Sequence, residues 1–327
     1  SALVAAASLA AAWRDARTAP AGDSAMSPPA AAEGALPVAP TVREAAAVMI
    51  RYGLPLVPMT SLVWIIHCSD RYLLAWLRPD LGNAAVGVYG ANYSLAMMVA
   101  VVFGPFGLFF LPAAAKLWDA GDKAQVGHLA RQTVKYGLIA MLPVVLSAPV
   151  LGDAGVQWIA GAAFRADRTV ILLVMLGYAF QALASVAEAP LALAIRTSRI
   201  LLHAICAAGA NLGLNLALIP RTDAWGGLNG AAIATAASFG LLLLLHRWAA
   251  RDVEGWSLGF GMAVLVALAA GIGAGLVRLW GAQGAAELAA ALLAGAVAYA
   301  LLLGVFGVVK RSEIGAAVAV LRTVPRK

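Results

Sequence analysis

Long apolar runs alternate with short polar segments along this chain. After an opening run that ends at Trp13, eight stretches are each predominantly apolar over about 20 residues, the length an α-helix needs to cross a hydrocarbon layer about 30 Å thick. They lie roughly at 51–70, 85–113, 134–152, 169–195, 199–219, 227–247, 257–279 and 286–309. The second and fourth are long enough to tilt or to extend past a bilayer. Pro55, Pro58 and the Gly104-Pro105 pair mark expected kinks. Between Trp13 and the first full span, DARTAPAGDSAMSPPAAAEGALPVAP is rich in Ala and Pro and cannot bury a core, so it reads as a flexible linker. TVREAAAVMIRYG follows as a short interfacial helix. The other connections are short.

Composition agrees with the pattern. Of 327 residues, 62% are hydrophobic and 12% are charged, against about 25% charged in a soluble domain. A soluble fold could not bury this much apolar surface and still cover itself with polar groups. The fold class is therefore an all-α integral membrane protein of about eight transmembrane helices. The chain opens on SALVAAASLAAAW with no basic segment ahead of it, unlike a signal peptide. Residues 1–13 are expected to be the end of a truncated transmembrane helix, and the sequence the C-terminal part of a longer chain. Cys68 and Cys206 both sit in apolar runs and form neither a disulfide framework nor a metal motif.

Charge then tests the span count. The net charge of +7 could signal nucleic acid, but the distribution answers otherwise. When the connections are assigned to alternate sides, Arg71, Arg78, Arg165, Arg168, Arg221 and Arg278 fall on one side. The other seventeen of the 23 basic residues fall on the opposite side. This is the positive-inside bias of a multi-pass membrane protein. It places the linker and the C-terminus in the cytoplasm and accounts for the charge without nucleic acid.

Several polar residues interrupt the apolar runs. In IIHCSDRYLLAWL, residues 65–77, the adjacent Asp70 and Arg71 fall near the end of the first span. At 100° per residue Thr60, Val63, His67, Asp70 and Arg71 share one helical face. Two readings stand: an interfacial ion pair flanked by Tyr72 and Trp76, or a face lining a water-filled cavity. A charge exposed to lipid at the bilayer centre costs about 3 kcal/mol or more. Glu188, about two turns before Arg196 and just ahead of Pro190, is a lone carboxylate that needs a partner or water. Asn211 and Asn215 share a stripe with Ala204 and Ala208, the pattern of close helix packing with interhelical hydrogen bonds. Asn92 reads similarly. Gly230, Ala234 and Ser238 form another small-residue seam. The glycines of GIGAG lack the strand and acidic partner of a dinucleotide fingerprint. The four histidines are scattered and no catalytic or metal motif occurs, so no enzyme, metal or cofactor is expected.

The order RYGLPLVP, SDRYLLAWL, VGVYGANYSLA, GPFGLFFLPAAAKLWDAGD and LLHAICAAGANLGLNLALIPRTDAWGGLNGAAIATAAS resembles the C-terminal half of polysaccharide (O-antigen) flippases. These belong to the multidrug/oligosaccharidyl-lipid/polysaccharide exporter superfamily. The likeness covers about residues 40–250, with a weaker match beyond. It implies a two-bundle transporter of 12 to 14 helices that moves undecaprenyl-pyrophosphate-linked oligosaccharide across the bacterial cytoplasmic membrane by alternating access. On that reading residues 14–46 are a cytoplasmic linker and interfacial helix, and 47–250 a C-terminal bundle of about six helices. Residues 251–310 add two helices and 311–327 a cytoplasmic tail. The N-terminal bundle would be missing.

The resemblance implies a hydrated path with cations for phosphate, best supplied by Arg51 and Arg71 with Lys116 behind them. His67, Asp70, Asn92 and Glu188 complete the path candidates, and Asn211 and Asn215 remain packing residues. A proton or Na+ would be the coupling ion. Membrane lipids, a polysaccharide polymerase and chain-length machinery would be partners in lipopolysaccharide-type surface polysaccharide biosynthesis. A cation-coupled drug or metabolite exporter of the same superfamily, a lipid II flippase and a membrane glycan polymerase or ligase are the rival readings.

Overall fold

The structure, a computed structural model, describes residues 42–161, 164–251, 260–280 and 285–309. The expected span end over 1–13, most of the expected linker and the expected tail over 311–327 lie outside the described residues. The chain divides into two compact units, residues 1–45 and 46–327. Of the first unit, only the residues that open α1 (Val42–Gly53) are described.

Helices follow in the order α2 (Leu56–Leu77), α3 (Gly82–Ala96), α4 (Met98–Asp119), α5 (Lys123–Ala160), α6 (Arg168–Leu193), α7 (Thr197–Leu218), α8 (Gly227–Ala250), α9 (Phe260–Trp280) and α10 (Ala285–Val305). Among the described residues, eight helical stretches are long and apolar enough to cross a membrane. The expected fold class is what the described residues show.

Three boundaries differ from expectation, each for a local reason. The first span is shifted: α1 stops at Gly53, Pro55 precedes α2, and α2 continues to Leu77 because Leu73, Leu74 and Trp76 extend its apolar run. Asp70 and Arg71 therefore lie inside the helix and not at its end. In the second span the break falls at Met97, between α3 and α4, while Pro105 and Pro112 are carried inside α4. The Met97 break is slight: Met97 N–H keeps the ordinary helical bond to the Tyr93 carbonyl at 3.1 Å, and only the bond from Ala100 N–H to the Met97 carbonyl at 2.9 Å is of the tighter i→i−3 kind. The third span, expected over 134–152, belongs to a 38-residue helix, about 57 Å long at 1.5 Å per residue. Asp122 caps its start by accepting from Gln125 N–H at 3.0 Å.

Helix α6 sits at the centre, packed against α3, α4, α5, α7 and α8. Its sequence is apolar on all sides, as a helix without a solvent face must be. Asp167 caps it, accepting from Thr169 and Val170 N–H at 3.0 and 3.1 Å. Small residues set the closest approaches, since lipid tails are as apolar as leucine and association must come from contact and polar pairing. A Cβ added at Gly177 would stand 3.3 Å from Cα of Ala236 in α8. Gly230, Ala234 and Ser238 are all buried. Gly273 and Gly295 similarly bring α9 and α10 together, and that pair docks on α5.

Candidate functional site

The second half of α2 faces α3, α6 and α8, and there the apolar bundle turns polar. Asp70 has no exposed surface. Its Oδ2 accepts from the Tyr89 hydroxyl of α3 at 2.5 Å, and its Oδ1 accepts from the backbone N–H of Arg71 at 2.8 Å. The Arg71 guanidinium lies over the Tyr93 ring, 4.6 Å from its centroid, a cation–π contact of the kind that strengthens when desolvated. Its Nε is buried with no hydrogen-bond partner.

His67 completes the cluster from the preceding turn of α2. Gln181 of α6 places its amide nitrogen 3.0 Å from His67 Nε2, and the Tyr93 hydroxyl is 3.0 Å from Nδ1. An amide nitrogen only donates, so His67 Nε2 is the acceptor and Nδ1 carries the proton that it donates to Tyr93. The ring also stacks on Tyr178 of α6 at 5.2 Å and tilts against Phe239 of α8 at 4.9 Å. Tyrosines from α3 and α6 thus hold a histidine, a carboxylate and a guanidinium in one place.

Next to this cluster, Ser69 donates to Asn211 Oδ1 of α7 at 2.9 Å, and Asn215 Nδ2 donates to the same oxygen at 3.1 Å. Asn211 and Asn215 have no exposed surface. Asn211 Nδ2, Asn215 Oδ1 and Thr235 Oγ1 of α8 are buried without partners. Buried polar atoms are usually satisfied, so these mark a seam where α2, α7 and α8 hold unused hydrogen-bonding capacity. Among the described residues, no three metal-ligating His, Cys, Asp or Glu side chains come together.

The other path candidates lie elsewhere. Asn92 of α3 is buried and fully engaged: its Nδ2 donates to the carbonyls of Val88 (2.7 Å) and Arg165 (3.2 Å), and its Oδ1 accepts from Asp167 N–H (2.8 Å). It ties the turn before α6 to α3. Thr60 is exposed and bonds the Val57 carbonyl at 2.7 Å, so the expected polar face begins only at His67. Arg51 and Lys116 are exposed near helix ends, at the close of α1 and in the last turn of α4. The structure does not bring them into the cluster. Glu188 lines a separate cavity of about 390 Å³ between α4 and α6, with Gly104, Gly107, Phe110, Leu111 and Ser185 among its walls. Among the described residues its carboxylate has no hydrogen-bond or ion-pair partner.

Sequence reasoning missed Tyr89, Tyr93, Tyr178 and Gln181. The signal was present: Tyr89 and Tyr93 are one turn apart in VGVYGANYS, and Tyr178 and Gln181 three apart in GYAFQAL. Each pair puts hydroxyl or amide groups on one face of an apolar helix.

No protein-family model matches the chain, and no curated protein matches it. Among solved structures, the fold is similar to one described as lipid II flippase MurJ in an inward closed conformation. The TM-score is 0.58 at 13% sequence identity, over 74% of this chain and 51% of that one. The chain thus spans about half the length of the structure it matches.

Proposed function

We propose that this chain is the C-terminal half of a flippase that moves undecaprenyl-pyrophosphate-linked oligosaccharide across the bacterial cytoplasmic membrane by alternating access. The observation that carries the reading is the His67–Asp70–Arg71 cluster, with Asp70 buried and His67 and Arg71 half-buried, set inside a bundle with the fold of a lipid II flippase. A pyrophosphate with its sugars needs a cation and hydrogen-bonding groups while it crosses the hydrocarbon layer. Arg71 is the cation held within the membrane, oriented by Tyr93 and balanced by Asp70. Arg51 and Lys116, exposed at helix ends, serve entry at the surface. The preceding bundle supplies the opposite wall, and the lipid tail stays in the bilayer. The linker and the C-terminus lie in the cytoplasm, no covalent step is catalysed, and a proton or Na+ drives the cycle. A polysaccharide polymerase and chain-length machinery act on the delivered lipid.

One observation favours a second reading, the cation-coupled drug or metabolite exporter. Glu188 presents an unpartnered carboxylate to its own cavity, which would suit a cationic substrate. Expressing the gene's full-length product in a strain lacking its own flippase separates the two. Restored surface glycan supports the flippase. Unrestored glycan together with raised tolerance of cationic drugs, lost in Glu188→Gln, supports the exporter.

A further inference from the structure

His203, in the second turn of α7, and His246, near the end of α8, belong to no part of the cluster around Asp70. Both are buried. Their ring centroids are 5.0 Å apart, with the planes inclined at 49°. His246 Nδ1 lies 3.4 Å from the Ala184 carbonyl of α6. A carbonyl only accepts, so Nδ1 bears the proton of the neutral ring and Nε2 is a bare lone pair. That Nε2 has no partner, and neither does His203 Nδ1. Two imidazoles in contact within a membrane helix seam, each with a buried unmet nitrogen, are poor packing residues where alanine or leucine would do.

A proton answers this arrangement. Bound at His246 Nε2, it turns a bare nitrogen into a donor facing a second imidazole, and a small rotation of either ring would let the unmet Nδ1 of His203 accept from it. A second proton would put two positive charges on touching rings and is disfavoured by that repulsion. Arg199 stands one turn ahead of His203 on α7, and Arg247 follows His246 on α8. On α6, Glu188 is one turn beyond Ala184 but lines the cavity against α4. From α2, Leu56 and Met59 pack at this end of the bundle and carry no charge. Arg51 of α1 approaches through its carbonyl, which accepts from Thr197 Oγ1 at 3.4 Å.

We propose that His203 and His246 form a proton-binding pair between α7 and α8, and that this proton is the ion whose binding is coupled to the transport cycle. The coupling rests on the flippase reading; the binding site does not. If α7 and α8 shift against each other during the cycle, the ring geometry changes and so does the proton affinity. By linkage, proton binding then biases the conformation equally.

The test uses the full-length protein in lipid nanodiscs with ring-¹⁵N histidine, the two resonances being assigned by their loss in His203→Gln and His246→Gln. Both rings are expected to titrate together in one shared step as the pH is lowered. Each substitution is expected to move the surviving ring's midpoint by more than about one pH unit. The step in the wild type is read without relying on a variant's fold. Independent midpoints, or no titration of either ring, overturn the binding site. In proteoliposomes, acidifying one side is expected to change wild-type flipping by about tenfold and to leave both variants unresponsive. Variants that keep the wild-type response overturn the coupling role. If the rings titrate as one but the wild type flips no lipid-linked oligosaccharide at any pH, the site stands, while the flippase reading and the coupling fall.

Discussion

Asp70 and Tyr89 show how this bundle tolerates charge. A carboxylate with no exposed surface has the Tyr89 hydroxyl as its strongest side-chain donor. Tyr89→Phe keeps the ring and removes only that donor, leaving buried charge under-satisfied. We expect it to destabilise the full-length protein by about 1.5–3 kcal/mol, read as a lower midpoint of thermal unfolding in detergent. Asp70→Asn in the Tyr89→Phe background should recover part of the loss, because the buried charge is gone. A double variant no more stable than Tyr89→Phe alone would contradict this. The sequence made the charged residues visible and hid their partners. Asp70 and Arg71 stand out in an apolar run, but Tyr89, Tyr93, Tyr178 and Gln181 read as ordinary residues of apolar helices until α3 and α6 are brought against α2. Pairings 19 or 114 positions apart in the chain leave no periodic trace.

At the scale of elements, spacing between helices is set by glycines in α6 and α8–α10 and by hydrogen bonds across seams. Gly177 packs tightly on the Ala236 backbone, where an added Cβ would stand 3.3 Å from its Cα, whereas Gly209 of α7 has open space around its Cβ position. Gly177→Leu is expected to push α6 from α8 and to lower stability by about 1–3 kcal/mol or more. Gly209→Ala should be neutral or stabilising by up to about 1 kcal/mol through helix propensity. Thermal unfolding of the two variants side by side checks the contrast, and equal losses would refute it. Span existence was legible because hydropathy over about 20 residues is a long-range average. Boundaries were less so. In sequence, Asp70 and Arg71 look like the end of the first span, although Leu73 to Leu77 carry the helix on. The division of the second span at Met97 was not expected, because Met97 carries no sequence mark of a turn.

At the scale of the molecule, the described helices form a bundle around α6 with the α9–α10 pair docked on α5. Its fold matches about half of a lipid II flippase. The small-residue seams and the run of apolar spans could be read from sequence, since each depends on neighbours within a few turns. Which polar residues share a site could not, because Arg51, Arg71, Lys116 and Glu188 look alike as charges near apolar runs and differ only in where the fold sends them. The structure separates them into the half-buried cluster around Asp70, exposed helix ends and a cavity. If the cluster around Asp70 serves passage of a phosphate-bearing lipid, Arg71 must act on the rate of transfer. The most direct measurement is the rate at which the purified full-length protein moves undecaprenyl-pyrophosphate-linked oligosaccharide between leaflets of proteoliposomes, with Arg71→Ala alongside. We predict transfer well above protein-free vesicles for the wild type. For Arg71→Ala, loss of about 1.5–3 kcal/mol of charge-assisted hydrogen bonding predicts a rate at least about tenfold lower. Wild-type transfer no faster than in protein-free vesicles, or an undiminished rate in a folded Arg71→Ala protein, would contradict it.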